Sequence, residues 1–222
     1  MHEIGAVIFD LDGVITDTAE YHYRAWQRLA DELGIAFDRA ANEAFRGVGR
    51  DDCLRLLLGG RQVANFDELA TRKNRYYVES LDAITPADIL PGATALLAEL
   101  KASGIPVAIG SASKNTRIVL KGLGLSDAFD AVIDGTMITH SKPDPQVFTK
   151  AAAALGVSPG RCLVVEDATA GVEAGLAAGM WTLGIGPVSR VGAAHAVVPS
   201  LDGLTLARLR SLLGVKFVRP AP

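Results

Sequence analysis

The apolar positions of this chain form short continuous runs that alternate with longer stretches of helical spacing. The first short run, Ala6–Phe9, is apolar throughout and β-rich, which predicts a strand buried on both faces of a sheet. Similar runs predict strands at residues 107–110, 131–133, 163–166, 181–185 and 196–198. Helical spacing between them predicts helices at residues 93–103, 116–121, 145–155 and 170–178. This alternation predicts an α/β fold with a doubly wound, parallel, Rossmann-like sheet.

One long segment after the first strand contains no apolar strand run. Asp17 or Thr18 can cap its first helix, and further helical patterns follow it. These further helices are predicted at residues 40–45, 51–58 and 67–81. We therefore predict an α-helical cap domain at residues 16–88, inserted into a core domain formed by residues 1–15 and 89–222.

Composition mainly indicates which classes of partner and location to exclude. The 222 residues, 49% of them hydrophobic and 21% charged, can build one good core and a smaller accessory domain. A net charge of −3 without a basic tract predicts no nucleic-acid partner, and no apolar stretch is long enough to span a membrane. Without a signal sequence, we expect a cytoplasmic monomer in which Cys53 and Cys162 are reduced packing residues. Residues 218–222 are expected to fray.

Two carboxylates, Asp10 and Asp12, follow the first predicted strand. Ligands of open α/β sheets bind beyond the carboxyl ends of the strands, and a single intervening residue places both side chains on the same side of an extended chain. Gly13 then frees the backbone to turn away. Crowded carboxylates repel each other unless a cation offsets them, which is typical of a magnesium site. Taken alone, an Asp-Gly turn with solvated carboxylates is the more common arrangement.

Three further motifs follow later predicted strands or lie in a loop: Ser111, Lys142-Pro143 and Glu166-Asp167. Together with Asp-Leu-Asp-Gly-Val at residues 10–14, they resemble the four motifs of the haloacid-dehalogenase superfamily of phosphoryl-transfer enzymes. The motifs occur in the family's order and span most of the chain. The resemblance implies a core and cap of that superfamily and Mg²⁺ as cofactor.

The resemblance also implies roles for the carboxylates. Asp10 would be the nucleophile that forms an aspartyl-phosphate, and it would ligate the metal. Asp12 would be the general acid and base, with its backbone carbonyl on the metal. Glu166 and Asp167 would supply the remaining protein ligands, since magnesium prefers hard oxygen ligands and retains water. Capping the following helix is the structural alternative for this pair, and both interpretations can hold.

Two polar residues complete the core motifs. Ser111, at a strand end, would donate to the phosphoryl oxygens together with neighbouring backbone amides. Lys142 lies between a serine and a proline that restricts the backbone, and a single lysine is usually an exposed surface residue. Its position in the third motif instead implies that it balances charge on the phosphoryl group and Asp10.

Segments 17–22, 46–50, 72–74 and 111–115 make the resemblance more specific, because they are similar to the sugar-phosphate mutases of the superfamily. These enzymes interconvert β-D-glucose 1-phosphate and D-glucose 6-phosphate through an aspartyl-phosphate and a β-glucose 1,6-bisphosphate intermediate. The partners implied are small-molecule sugar phosphates. One alternative is a sugar-phosphate phosphatase of the same superfamily, in which water receives the phosphoryl group. Another is a non-catalytic sugar-phosphate sensor, against which the complete motif set argues.

The same resemblance implies substrate contacts. Arg50 would grip the phosphate that does not react, with a fork that lysine cannot reproduce. Lys114 and Asn115 would contact sugar hydroxyls or phosphate. Cys53 stands where relatives often carry serine, and Ala168 where a small hydroxyl residue is common. The candidate substrate-binding residues are Thr18, His22, Trp26, Arg46, Gly47, Val48, Arg50, Lys73, Ala112, Ser113, Lys114 and Asn115.

Within this set, one group concerns closure of the cap. His22 lies four residues after Thr18, on the same face of the first cap helix. With Lys73 it resembles a hinge network that positions Asp12 once the cap has closed. A single histidine on a helix is more often a surface residue, and packing inside the cap is the favoured role for Trp26.

Overall fold

The central sheet of the protein consists of parallel strands, six of them within residues 2–220, the range that the computed structural model describes. Met1, Ala221 and Pro222 lie outside that range, so the predicted fraying of the last two residues stays a prediction. From one edge to the other the strands are β4 (Ala131–Ile133), β3 (Val107–Gly110), β2 (Ala6–Phe9), β5 (Cys162–Glu166), β6 (Trp181–Ile185) and β7 (Ala196–Val198). From β2 the chain continues through β3 to β4 at one edge, and it then returns to place β5 on the other side of β2. The boundary between β2 and β5 is therefore a topological switch point, where open α/β sheets form a binding crevice.

Strand β2 shows why the sheet is buried on both faces. Val7 and Phe9 enter one hydrophobic cluster, while Ala6 and Ile8 enter a second cluster on the opposite face. This alternation follows from the two-residue period of a strand, and all four side chains are inaccessible to solvent. The flanking helices are α5 (Ala93–Ala102), α6 (Thr116–Gly122), α7 (Gln146–Ala154), α8 (Thr169–Ala177), α9 (Val188–Val191) and α10 (Leu206–Leu213). The predicted doubly wound α/β fold is confirmed.

The segment between β2 and the rest of the core is helical. Its helices are α1 (Ala19–Glu32), α2 (Arg39–Glu43), α3 (Arg50–Leu57) and α4 (Phe66–Leu81). They pack around a cluster of their own, which includes Trp26, Leu29, Leu54 and Leu69. A separate hydrophobic cluster is what a cap that folds as its own unit requires.

The two connections between cap and core run side by side. The Leu90 amide donates to the Ile15 carbonyl at 2.9 Å, and the Thr16 hydroxyl donates to the Asp88 carbonyl at 2.8 Å. A 3-10 helix, Pro86–Asp88, forms part of the return segment. These contacts lie where we placed the domain boundaries, at 15/16 and 88/89, and the boundaries themselves stay a prediction.

Several short elements escape the sequence patterns. Strand β1 (Glu3–Ile4) pairs in parallel with β8 (Lys216–Phe217), and α9 and α10 follow the last predicted helix. The Val218 amide donates to the Ile4 carbonyl at 2.8 Å, so the prediction of fraying is wrong for residue 218. Two-residue strands carry too few positions to show a period. In the described part of the chain, no helix is long and apolar enough to cross a membrane.

Candidate active site

The candidate catalytic residues meet at the carboxyl edge of the sheet. Asp10 follows β2 and Ser111 follows β3, and the candidate metal ligands Glu166 and Asp167 lie at the end of β5. Because β2 and β5 are paired, the Asp10 amide donates to the Val165 carbonyl at 2.9 Å, which places both motifs at the switch point. Parallel pairing thus joins residues more than 150 positions apart in the sequence.

The side chains of Asp10, Glu166 and Asp167 form an acidic cluster. Each offers one oxygen, these oxygens lie within 4.8 Å of one another, and all three residues are buried. Gly13, at φ +82°, and Gly171 make room for it, because a Cβ at either position would overlap the Asp167 or the Glu166 carboxylate, respectively. Side chains at these two positions would therefore displace the acidic cluster.

Lys142 lies inside this cluster with no solvent exposure of its side chain. Its Nζ is 2.6 Å from Asp10 Oδ1 and 2.7 Å from Glu166 Oε1. Burial would lower the pKa of Lys142, but the two carboxylates outweigh it and hold the pKa above 10.5. The other Glu166 oxygen accepts the Ala168 amide at 2.7 Å, at the start of α8. Glu166 therefore supports the helix N-terminus and also faces the cluster.

The carboxylate oxygens of the cluster fit a divalent cation. Burial and the charge of Asp10 raise the pKa of Asp12 to about 8 and that of Asp167 to about 7. Within the described chain, Asp12 Oδ1 is buried without a hydrogen-bond partner. Hard carboxylate oxygens are the ligands that such a cation prefers.

A pocket borders this cluster and the cap. Most of the candidate residues line it: Asp10, Asp12, His22, Trp26, Arg46, Gly47, Val48, Arg50, Lys73, Ser111, Ala112, Ser113, Lys114, Asn115 and Asp167. Thr18, Lys142 and Glu166 instead lie behind its wall, each at most 1% exposed. Sequence reasoning did not place Ala19, Asn42, Phe45 or Asn74 there, although Phe45 and Asn74 adjoin predicted pocket residues. Cys53, noted only as a departure from the family, also lines the pocket.

The predicted hinge residues form a contact chain that ends at Asp12. His22 Nδ1 is 2.8 Å from Lys73 Nζ, and His22 Nε2 is 3.9 Å from Asp12 Oδ2. Lys73 Nζ also lies 4.6 Å from the centre of the Trp26 ring. Burial, with the charge of Lys73, holds the pKa of His22 well below 6.5, and burial lowers the pKa of Lys73 to about 7. A neutral imidazole therefore connects Lys73 to the candidate acid/base.

Tyr77, which sequence reasoning missed, supports this chain from α4. Its ring stacks on His22 with centroids 3.9 Å apart and an interplanar angle of 16°. Tyr77 lies one helical turn after Lys73, so both face His22 on α1. The four-residue spacing from Lys73 is the signal that could have found it.

Asp167 belongs to a network of four charged residues of alternating sign, which also contains Arg46 and Glu43 of the cap and Arg190 of the core. Arg46 Nη1 lies 3.0 Å from Asp167 Oδ2, and Arg46 Nε lies 3.2 Å from Glu43 Oε1. Arg190 Nε donates to the Asp167 carbonyl at 2.7 Å, while Arg190 Nη1 lies 3.7 Å from Glu43 Oε2. Arg190 comes from α9, far along the chain, and no sequence motif marks it. Asp167 is thus held from both cap and core.

A second set of contacts crosses the cleft on the side of the 111–115 loop. Lys114 Nζ lies 3.0 Å from Asp51 Oδ2, and Asn115 Nδ2 donates to Asn74 Oδ1 at 2.7 Å. Cap residues therefore already engage two core side chains that the family resemblance implies for substrate.

A profile of the haloacid dehalogenase-like hydrolases matches residues 4–179, which include every core motif described above. The chain belongs to this family. The superfamily predicted from the motifs is confirmed.

Individual relatives of the chain narrow the comparison further than the family does. β-Phosphoglucomutase of Bacillus subtilis (strain 168) is 44% identical over 210 residues, which make up 92% of this chain and 93% of the relative. Hexitol phosphatase A of Escherichia coli (strain K12) is 32% identical over 209 residues, covering 90% and 93%. The crystal structure of β-phosphoglucomutase from Clostridium difficile superimposes with a TM-score of 0.91 at 40% identity, covering 95% of this chain and 97% of that one. The chain is thus similar to β-phosphoglucomutases along nearly its whole length.

Proposed function

We propose that the chain is a phosphotransferase that interconverts β-D-glucose 1-phosphate and D-glucose 6-phosphate, the β-phosphoglucomutase reaction. One observation carries the proposal: the pocket that borders the acidic cluster is also lined by a separate pair of cations, Arg50 and Lys114. An intermediate with two phosphates needs a site for each of them. The similarity to β-phosphoglucomutases supports the same reaction.

The first half-reaction would use Asp10 as the nucleophile. Its Oδ1 is paired with Lys142, which holds the carboxylate in place and offsets the charge that builds up on the phosphoryl oxygens. Asp10, Glu166, Asp167 and the Asp12 backbone carbonyl would hold Mg²⁺, which when bound supplies further positive charge to the phosphoryl group. Ser111, buried at the end of β3, would donate its hydroxyl to a phosphoryl oxygen.

Asp12 would move the protons. Its raised pKa, about 8, lets the carboxyl protonate a leaving sugar oxygen and, once ionised, accept a proton from an attacking hydroxyl. His22 and Lys73 connect it to helices α1 and α4 of the cap, so its position would depend on that of the cap. The phosphorylated Asp10 would then pass its group to a second sugar phosphate.

The far end of the substrate would bind to Arg50 and Lys114. Arg50 begins α3 of the cap and Lys114 follows β3 of the core, so a phosphate held by both would draw cap and core together. Closure excludes water from the phosphorylated Asp10, and that exclusion separates a mutase from a phosphatase. Cytoplasmic location and a monomeric state stay predictions of the sequence.

A phosphatase is the second candidate, because hexitol phosphatase A is also a relative along most of the chain. The test supplies pure β-glucose 1-phosphate with Mg²⁺ and a trace of the bisphosphate, then measures glucose 6-phosphate and inorganic phosphate together. We expect glucose 6-phosphate to form much faster than phosphate is released. Faster release of phosphate would replace the mutase proposal with the phosphatase.

A further inference from the structure

Asp51 lies between the two cations that the proposed function assigns to the non-reacting phosphate. Asp51 Oδ1 is 3.3 Å from Arg50 Nε, and Asp51 Oδ2 is 3.0 Å from Lys114 Nζ. Both oxygens of one carboxylate are therefore engaged, one by the cap and one by the core. The three side chains are 41%, 22% and 37% exposed for Asp51, Arg50 and Lys114, so the group borders solvent at the pocket.

This carboxylate is charged at neutral pH. Burial alone would raise the pKa of Asp51, but Lys114 and Arg50 outweigh that effect and hold the pKa below 3.8. Arg50 and Lys114 are therefore already paired with the Asp51 carboxylate when a phosphate reaches them. The phosphate must displace that carboxylate, and the displaced carboxylate remains nearby and repels it.

We propose that the carboxylate of Asp51 acts as a placeholder for the non-reacting phosphate, bridging Arg50 and Lys114 until a sugar phosphate replaces it. The inference rests on the proposed function, since it takes these two cations as the phosphate site. The placeholder weakens every phosphate at this site by a similar factor. It thereby keeps inorganic phosphate from occupying the cations and bridging cap to core without a sugar.

The test compares Asp51→Asn with the wild-type enzyme in the presence of Mg²⁺. Exposed ion pairs contribute little individually, so the loss of two should tighten phosphate binding about threefold to tenfold. We expect the KM for glucose phosphate and the inhibition constant of inorganic phosphate both to fall by that factor, without a rise in kcat, because binding in the ground and transition states changes alike. Weaker or unchanged phosphate binding would overturn the proposal.

Two variants serve as controls. Asp52→Asn removes the same charge from the same first turn of α3, but Asp52 pairs with Arg55 and Ser141 instead of the phosphate cations, so phosphate affinity should stay at the wild-type value. Asp51→Glu keeps the charge and should remain within about twofold of wild type. Tightening in Asp52→Asn equal to that in Asp51→Asn would attribute the effect to net charge and reject the placeholder.

The variant Lys114→Gln distinguishes a failure of the placeholder from a failure of the proposed function. If Lys114→Gln leaves glucose 6-phosphate binding unchanged, the assigned phosphate site is wrong and the proposed function loses its main support. If Lys114→Gln weakens binding but Asp51→Asn does not strengthen it, only the placeholder is wrong. With both correct, Asp51→Asn should tighten phosphate binding less in the Lys114→Gln background than in the wild-type protein.

Discussion

At the scale of single residues, the site depends on one buried arrangement, in which Lys142 bridges Asp10 and Glu166. Asp10 Oδ1 and Glu166 Oε1 both contact Lys142 Nζ, so a change of one atom can alter reactivity with little change of shape. Asp10→Asn makes such a change, because an amide is a poor nucleophile and a weaker metal ligand.

We expect Asp10→Asn to abolish phosphoryl transfer while the protein stays folded. The loss should exceed the roughly 10² to 10⁴ that general acid-base help alone provides, since nucleophile and metal ligand are lost together. Glucose 6-phosphate formation measures the activity, and circular dichroism checks the fold. Activity within tenfold of wild type would refute the nucleophile.

Lys142→Ala removes the only lysine within the acidic cluster formed by Asp10, Glu166 and Asp167, among the residues that the structure describes. Turnover should fall steeply, and raised Mg²⁺ should not restore it, because the missing charge lies between Asp10 and Glu166. Loss of one partner from a buried ion pair typically costs about 3–5 kcal/mol of stability, so thermal unfolding is measured alongside turnover. Full rescue of a folded variant by Mg²⁺ would limit Lys142 to metal loading.

At the scale of elements, helices α1 and α4 bring a neutral imidazole to within 3.9 Å of Asp12. α1 carries His22, α4 carries Lys73 and Tyr77, and their packing brings the three together against Asp12. A movement of this helix pair would move the imidazole and with it the acid/base. Closure of the cap on substrate would thus change the position of the imidazole relative to the Asp12 carboxyl group, the candidate acid/base.

His22→Ala should lower the ratio of transfer to hydrolysis. Mutase turnover needs Asp12 in place and should fall, whereas water attack on the phosphorylated enzyme does not depend on this connection and should change much less. The measurement is glucose 6-phosphate formed against phosphate released. Arg24→Ala, on the exposed side of the same helix, should leave the ratio at its wild-type value. An unchanged ratio in His22→Ala would show that the imidazole does not couple cap to acid/base.

At the scale of the whole molecule, the acidic cluster makes stability depend on pH and on metal. Burial is the first cause that raises the pKa of Asp12 and Glu166 to about 8 and that of Asp167 to about 7. The folded protein therefore keeps protons that the unfolded chain has already released near pH 4, and its stability falls as pH rises toward these values.

Without metal, we expect the melting temperature to fall between pH 6 and pH 7.5, because the folded protein still holds protons on Asp12, Glu166 and Asp167 that the unfolded chain has released. His22 and His195 act in the opposite direction below their ordinary 6.5 and Lys73 above about 7, but the three carboxyl groups outweigh them. Saturating Mg²⁺ should raise the melting temperature most at pH 7.5, because it binds the ionised carboxylates. Thermal unfolding in EDTA and in Mg²⁺ measures both. A melting temperature in EDTA that rises over this range would contradict the assigned pKa shifts.

Local patterns in the sequence determined the sheet and the order of the motifs. A strand covered on both faces must be apolar at every position, so Ala6–Phe9 and Val107–Gly110 are visible as runs with their correct bounds. The candidate catalytic carboxylates adjoin such runs, and parallel strands bring their carboxyl ends to one edge. Fold class and acidic cluster therefore follow from short-range information.

Only the tertiary structure decided which distant side chains meet. Arg190 reaches Asp167 from α9 because of how helices pack within the core, and Tyr77 stacks on His22 because of how α1 and α4 pack within the cap. The bridge of Asp51 to Lys114 joins cap to core. Periodicity along one element reports which face is buried but not which residue of another element covers it, since that depends on crossing angle and distance. The sequence alone thus determined the chemistry at the sheet edge, and only packing between cap and core decided how that chemistry is positioned.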